Sequence, residues 1–226
     1  MALKDKKHWS AKSDLKHDEV KDAVEAIFDW ILGNRAQAAG ILAGVVAAAV
    51  VIGVIVYSRR AREGAAWDKL SQAESSADAG RASDAQALIG QIETEGGSAS
   101  AAALARLLDG DMHYLRAEYD PAAASFKQAE DASPEPLKTF ALADEVAAYE
   151  AAGKADQCVR AAQSFLDAHA GDILAPQVHT SLARCQFAEG QADAAKASLQ
   201  KIGLLYQNTP WAEWAAARLA VAAAAK

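Results

Sequence analysis

Residues 36–57, AQAAGILAGVVAAAVVIGVIVY, contain no ionisable side chain ahead of the closing tyrosine and one polar amide, Gln37. At about 1.5 Å per residue such a helix reaches roughly 33 Å, enough to cross a hydrocarbon core of about 30 Å. A helix apolar on every face needs protein or lipid all round it, and one chain of this size has little protein to offer. Ser58-Arg59-Arg60 follows the run where a cleavage site would stand, and the apolar run is longer than a signal peptide's. The stretch therefore reads as an uncleaved transmembrane anchor.

Orientation rests on charge. Lys16, Lys21 and Arg35 precede the span and Arg59, Arg60, Arg62 and Lys69 follow it, a near tie by the positive-inside rule. The tail as a whole carries seven cations, and long domains are translocated largely regardless of charge, so the expectation is tail inside and domain outside. The net charge of −7 lies wholly beyond the span, because the first 35 residues hold seven acids and seven bases. An acidic domain lacks the basic patches that neutralise phosphates, which excludes nucleic acid as the main partner.

Residues 1–17 are dense in Lys, Asp and Ser and are expected to be disordered. Over 18–34, Val20, Val24, Ile27, Phe28 and Ile31 recur at helical spacing opposite Asp18, Glu19, Asp22, Glu25 and Asp29. This predicts an amphipathic juxtamembrane helix stopped by Gly33 and Asn34, with Trp30 at headgroup level. It either lies on the membrane or a partner, or is a plain extension. Within the span, Ala36, Gly40, Gly44 and Ala48 form a stripe of small residues. Gly40, Gly44 and Ala48 are the candidate interface for a second membrane helix, although chance can make such a stripe in so Ala- and Gly-rich a segment.

Beyond the span no strand alternation appears, and four turns recur: Gly80-Arg-Ala-Ser-Asp-Ala, Ala117-Glu-Tyr-Asp-Pro-Ala, Gly153-Lys-Ala-Asp-Gln-Cys and Gly190-Gln-Ala-Asp-Ala-Ala. Their starts are 37, 36 and 37 residues apart, a period that signals stacked helix pairs. Ser83, Asp120, Asp156 and Asp193 are expected to cap the second helix of each pair. Ala85, Ala122 and Ala195 would let paired helices approach, and Ile89, Phe126 and Leu199 would fill the space between pairs.

The second unit resembles the tetratricopeptide repeat in Gly110, Tyr119, the A-x-x-x-F of Ala122 and Phe126, Ala129 and Pro134, and departs from it at Arg106 and Asp109. The resemblance covers roughly residues 66–226. It implies an all-α chain in which the single transmembrane helix is followed by a tetratricopeptide-like helical solenoid of about four helix pairs plus a capping helix. That last helix starts at Pro210, and its Trp211, Trp214, Ala215 and Leu219 are expected to close the open end of the core; exposed docking by the two tryptophans is the competing reading.

Cys158 and Cys185 fall on helices expected to run antiparallel side by side, at similar height. They are either a disulfide, which would fit an oxidising compartment outside the cytoplasm, or two small residues filling a tight contact. There is no C-x-x-C, H-E-x-x-H, glycine-rich phosphate loop or G-x-S-x-G, and Asp109-Gly-Asp-Met-His113 is expected to point its acids and histidine different ways. No enzyme activity, cofactor, metal or small-molecule substrate is expected.

The order of parts, and most of all DEVKDAVEAIFDWILGNRAQAAGILAGVV, is similar to the ancillary Sec translocon subunits of the YfgM type. That resemblance implies a single-pass protein of the bacterial inner membrane with a cytoplasmic N-terminus. Its periplasmic domain would work beside the translocon with a membrane-tethered chaperone on emerging proteins. The rotation of such repeats would turn Asp111, Tyr114, Glu150, Arg184 and Phe187 into a peptide groove. The alternative is a structural accessory subunit of another large membrane complex, respiratory or motor, held by the Gly40/Gly44 face and the Trp30 helix.

Overall fold

The computed structural model describes the backbone of residues 11–224 and the side chains of residues 21–223, and within them all regular structure is helical. The helices are α1 (Ala11–Gly33), α2 (Arg35–Asp78), α3 (Ala82–Glu95), α4 (Ala99–Leu115), α5 (Tyr119–Ala132), α6 (Leu137–Ala151), α7 (Ala155–Ala168), α8 (Ala175–Ala188), α9 (Ala192–Leu205) and α10 (Pro210–Ala224). The chain divides into two compact units, Met1–Ser58 and Arg59–Lys226.

In the first unit, α1 begins seven residues ahead of the expected boundary, so residues 11–17 are helical rather than disordered; residues 1–10 lie outside the described part. Ala11, Lys12, Leu15 and Lys16 are good helix formers, and dense charge does not remove that propensity. The stop signal at Gly33 and Asn34 interrupts the helix for one residue only. The Asn34 N–H still donates to the Trp30 carbonyl (2.9 Å), and Ala38 N–H donates to Asn34 (2.9 Å). Asn34 Nδ2 reaches the same Trp30 carbonyl at 3.1 Å. The next helix, α2, has a stretch with mean hydropathy 2.8, none of it buried, and is long and apolar enough to span a membrane. It runs on past Tyr57 to Asp78 without a break.

The second unit is built from four identical turns. Gly80, Ala117, Gly153 and Gly190 all take positive φ, between 58° and 78°. The residue after each, Arg81, Glu118, Lys154 or Gln191, works twice. Its N–H donates back to the carbonyl of Ser76, His113, Tyr149 or Gln186, closing the preceding helix in a Schellman motif. Its own carbonyl accepts from Ala85, Ala122, Cys158 or Ala195 and opens the next helix. These four residues are the N-caps, and none makes a side-chain cap bond. The expected capping by Ser83, Asp120, Asp156 and Asp193 is therefore overturned: each stands at the second helical position, already inside the first turn. There the three carboxylates still favour the helix N-terminus through its dipole.

Packing follows the same period. Leu70, Ala73, Ile89, Ile92 and Ala105 join α2, α3 and α4 in one apolar cluster. Leu107, Ala122, Phe126, Ala129 and Ala141 join α4, α5 and α6. Leu142, Val146, Val159, Phe165, Val178 and Leu182 join α6, α7 and α8. Ala183, Leu199, Ile202 and Ala215 join α8, α9 and α10. Thus α4, α6 and α8 each serve two clusters, and no helix pair owns a core alone. Ala85, Ala122, Cys158 and Ala195 occupy equivalent, fully buried places where paired helices meet. Gly110 is required by closeness rather than by φ: a Cβ there would stand 2.4 Å from the Phe126 ring.

Cys158 in α7 and Cys185 in α8 are joined by a disulfide with Cα atoms 6.1 Å apart. It closes a loop of 27 residues in sequence, for which loop entropy gives about 3 to 4 kcal/mol of stabilisation. The double variant Cys158→Ala/Cys185→Ala, whose first alanine matches Ala85, Ala122 and Ala195 at the equivalent site, should lose about that much in chemical unfolding. Ala117, the non-glycine at one of the four turns, bears the left-handed cost that Gly153 and Gly190 avoid. Ala117→Gly should stabilise by about 0.5 to 1 kcal/mol and Gly153→Ala destabilise by about 1 to 2 kcal/mol in the same assay.

Candidate functional site: the face shared by α4, α6, α8 and α10

Because the turns repeat, residues at a fixed offset ahead of them share a face. Six and three residues before Ala117, Gly153 and Gly190 stand Asp111 and Tyr114, Ala147 and Glu150, and Arg184 and Phe187. Tyr114, Ala147, Glu150 and Arg184 line one cavity of about 350 Å³ together with Ala151, Gln177, Thr180, Ser181 and Trp211. Phe187 lines an adjoining cavity of similar size, with Arg184 common to both and with Trp214, Arg218 and Val221. Four of the five candidate groove residues thus meet in two cavities joined by Arg184. Asp111 is in neither lining set, but its charge acts on Asp144 within the same face.

Charge is distributed unevenly along this face. Arg184 Nη1 donates to Glu150 Oε1 at 3.0 Å, tying α8 to α6. The Arg184 guanidinium also sits 5.2 Å from the Trp214 ring centre, with that of Arg218 at 5.8 Å, so Trp214 is flanked by two cations. At the other end Asp144 is partly buried, and burial first and the neighbouring Asp111 second push its carboxyl up to about 7. Burial raises Asp111 as well. Tyr114 is raised by burial first and then by Tyr119, Glu150 and Asp144. Among the described residues no ion pair neutralises Asp111 or Asp144.

Sequence reasoning missed Asp144. It lies nine residues before Gly153, where its equivalents are Leu108 and Ser181, one helical turn back from the positions that were counted. The same offset arithmetic would have found it. The tryptophans of α10 part company. Trp214 packs with Leu219 on the Ala183, Leu199, Ile202 and Ala215 cluster as expected of a cap, but Trp211 is 37% exposed and lines the cavity. The small, fully buried Ala215 takes the centre of the helix contact, leaving Trp211 on its flank.

Asp109 and His113 do come together, contrary to expectation, because they are one turn apart: His113 Nε2 lies 3.6 Å from Asp109 Oδ2. Ser125 Oγ donates to Asp109 at 2.7 Å, and His113 Nδ1 meets Glu118 Oε2 at 2.6 Å. The serine bonds the acid rather than the imidazole, so a serine–histidine pair is not formed, and the cluster fastens α4 to the turn and helix that follow. His179 is buried with Nδ1 unpartnered, and burial with Lys201 holds it down to about 4, a neutral packing residue beside the Tyr206 ring.

The raised Asp144 gives stability a definite pH dependence. The folded chain holds a proton that the unfolded chain releases, so its contribution is full below the usual carboxylate range and is lost as pH rises toward 7. Asp144→Asn should raise stability at pH 8 by about 1 to 3 kcal/mol, with the gain shrinking to nothing near pH 4, as read from urea unfolding at each pH. Compared with known proteins, the chain matches no family model, no curated protein and no solved structure.

Proposed function

We propose that the protein is a membrane-anchored protein–protein interaction module whose helix pairs form a tetratricopeptide-like solenoid and whose inner face takes a segment of a partner. The observation that carries this reading is the convergence of Tyr114, Glu150, Arg184 and Trp211, from four different helices, on one cavity. Tyr, Trp and Arg are the residue types that most often dominate interface energetics. Identical turns and cores shared between successive pairs support the solenoid, since each unit contacts chiefly its neighbours.

The setting follows from the resemblance to ancillary Sec translocon subunits: single-pass in the bacterial inner membrane, N-terminus cytoplasmic, and the repeat domain in the periplasm assisting exported proteins beside a chaperone. The apolar helix and the Cys158–Cys185 disulfide support that setting, the second because such bonds persist outside the reducing cytosol. The accessory-subunit reading is favoured by a different feature. Gly40 and Gly44 stand one turn apart in α2 on the stripe of small residues that would let a second membrane helix approach closely.

Purification of the full-length protein from its native membrane in mild detergent, with mass spectrometry of what accompanies it, separates the two. Translocon and chaperone subunits are expected, and the double variant Tyr114→Ala/Phe187→Ala should lower their recovery at least tenfold while Gly44→Leu leaves it unchanged. Stoichiometric respiratory or motor subunits, retained by the groove variant and lost with Gly44→Leu, would overturn the groove reading in favour of the accessory subunit.

A further inference from the structure

The two cavities of the shared face differ in charge. Phe187 of α8 and Trp214, Val221 and Ala222 of α10 give the second one apolar walls, and the charged residues of its lining, Arg184 and Arg218, are both cations. In a chain of net charge −7 this is a local reversal of sign, with no acid in the lining. Phe187 and Val221 are exposed, so the walls stand open to whatever enters. Arg218 lies 37 residues beyond Ser181, at the offset that also carries Asp144, and so belongs to the same face.

Both guanidiniums are positioned by one ring, that of Trp214. A guanidinium over an aromatic ring meets it with its flat face and keeps N–H groups at its edge free to donate. Arg184 gives one of its donors to Glu150. Among the described residues Arg218 makes no ion pair, and Glu213, the other charged residue of α10, does not reach it. A planar donor edge, held in place and unused, thus stands at an apolar cavity. The group that fits such an edge is a carboxylate, which can accept two parallel hydrogen bonds from it. An exposed ion pair alone adds little affinity, so the apolar walls must supply most of the contact and the pair must fix its orientation.

We propose that the cavity between α8 and α10 binds a partner's peptide segment in which an aspartate or glutamate neighbours large apolar side chains, the carboxylate on Arg218 and the apolar side chains against Phe187, Trp214 and Val221. The proposal rests on the groove reading given above and adds the chemistry of the occupant. Arg184 lines the first cavity as well, so the bound chain runs on from one cavity to the other and the carboxylate is a side chain rather than a chain end. Glu150 in the first cavity repels an acid placed there, which puts the acidic residue at the α10 end and sets the direction in which the segment lies.

The test uses the full-length protein in detergent and fluorescein-labelled, C-terminally amidated peptides of Gly, Ser, Leu and Phe that differ only in carrying Glu or Gln at one internal position, followed by anisotropy at low salt. The Glu peptide should bind at least fivefold more tightly than the Gln peptide, and the difference should shrink as salt is added. Arg218→Gln, a change at an exposed side chain, should bring the two within about twofold of each other, whereas Phe187→Ala should weaken both alike. Thermal unfolding establishes that each variant is folded. A Gln peptide with a free carboxyl end should bind no better than its amidated form; if it matches the Glu peptide, the side-chain assignment is overturned. If Glu and Gln peptides bind equally to the unchanged protein, or if Arg218→Gln leaves the preference intact, the charge assignment is overturned while the groove stands. If no peptide binds although Tyr114→Ala/Phe187→Ala lowers partner recovery from the membrane, the occupant named here is wrong and the groove stands. If no peptide binds and that double variant leaves recovery unchanged, the groove reading fails and takes this proposal with it.

Discussion

A single residue of left-handed backbone at each of four turns is the constraint on which the repeat domain depends. With Gly80, Ala117, Gly153 or Gly190 at positive φ, the next residue's N–H can close one helix while its carbonyl opens another. The chain therefore reverses within a few residues, with the same backbone hydrogen bonds at each of the four turns. Small residues directly after the turn, from Ala85 to Ala195, allow the helices it joins to approach closely. Backbone hydrogen bonds thus set the geometry, and apolar burial across neighbouring pairs supplies the energy that holds it.

The face shared by α4, α6, α8 and α10 is a by-product of that periodicity. Once turns recur at a fixed spacing, a residue's offset from the turn decides whether it meets core, solvent or the cavities of the shared face. Offsets given to Ala elsewhere in the stack hold Tyr, Arg and Asp on this face. Asp144 makes the point physically: its equivalents are Leu108 and Ser181, so nothing in the architecture demands an acid there, and an acid is the least favourable of the three for folding. Residues that work against stability in a regular scaffold are where function is to be sought.

Much of the helical plan was legible because turns and apolar spacing are local signals. The long apolar helix, the four turns, the buried faces of Ile89, Phe126 and Leu199 and the start of the last helix at Pro210 all came from residues close in sequence. What was not legible depended on competition between local options. Asp120 and its equivalents look like N-caps, yet the Schellman turn fixes the helix start one residue before them, and the backbone of Glu118 takes the capping place. Gly33 and Asn34 look like a stop, yet the hydrogen-bond ladder passes through Asn34. Trp211 looked like core because its neighbours are core; whether a large side chain turns in or out at the last helix depends on packing with α8, two helices back along the chain and beyond the reach of local spacing.

Cys158 stands where the other pairs have Ala85, Ala122 and Ala195, and its bond to Cys185 fastens the third pair to the fourth. Stacked pairs ordinarily peel from a free end, one interface at a time. Pulled from its C-terminus, this chain would give up α10 and α9 and then meet a covalent stop, with the stretch between the cysteines, a sequence separation of 27, held out of the extension. At about 3.3 Å per residue that is roughly 90 Å of length never released, so the force would pass directly across the bond into α7 while the segment between the cysteines stays a closed loop.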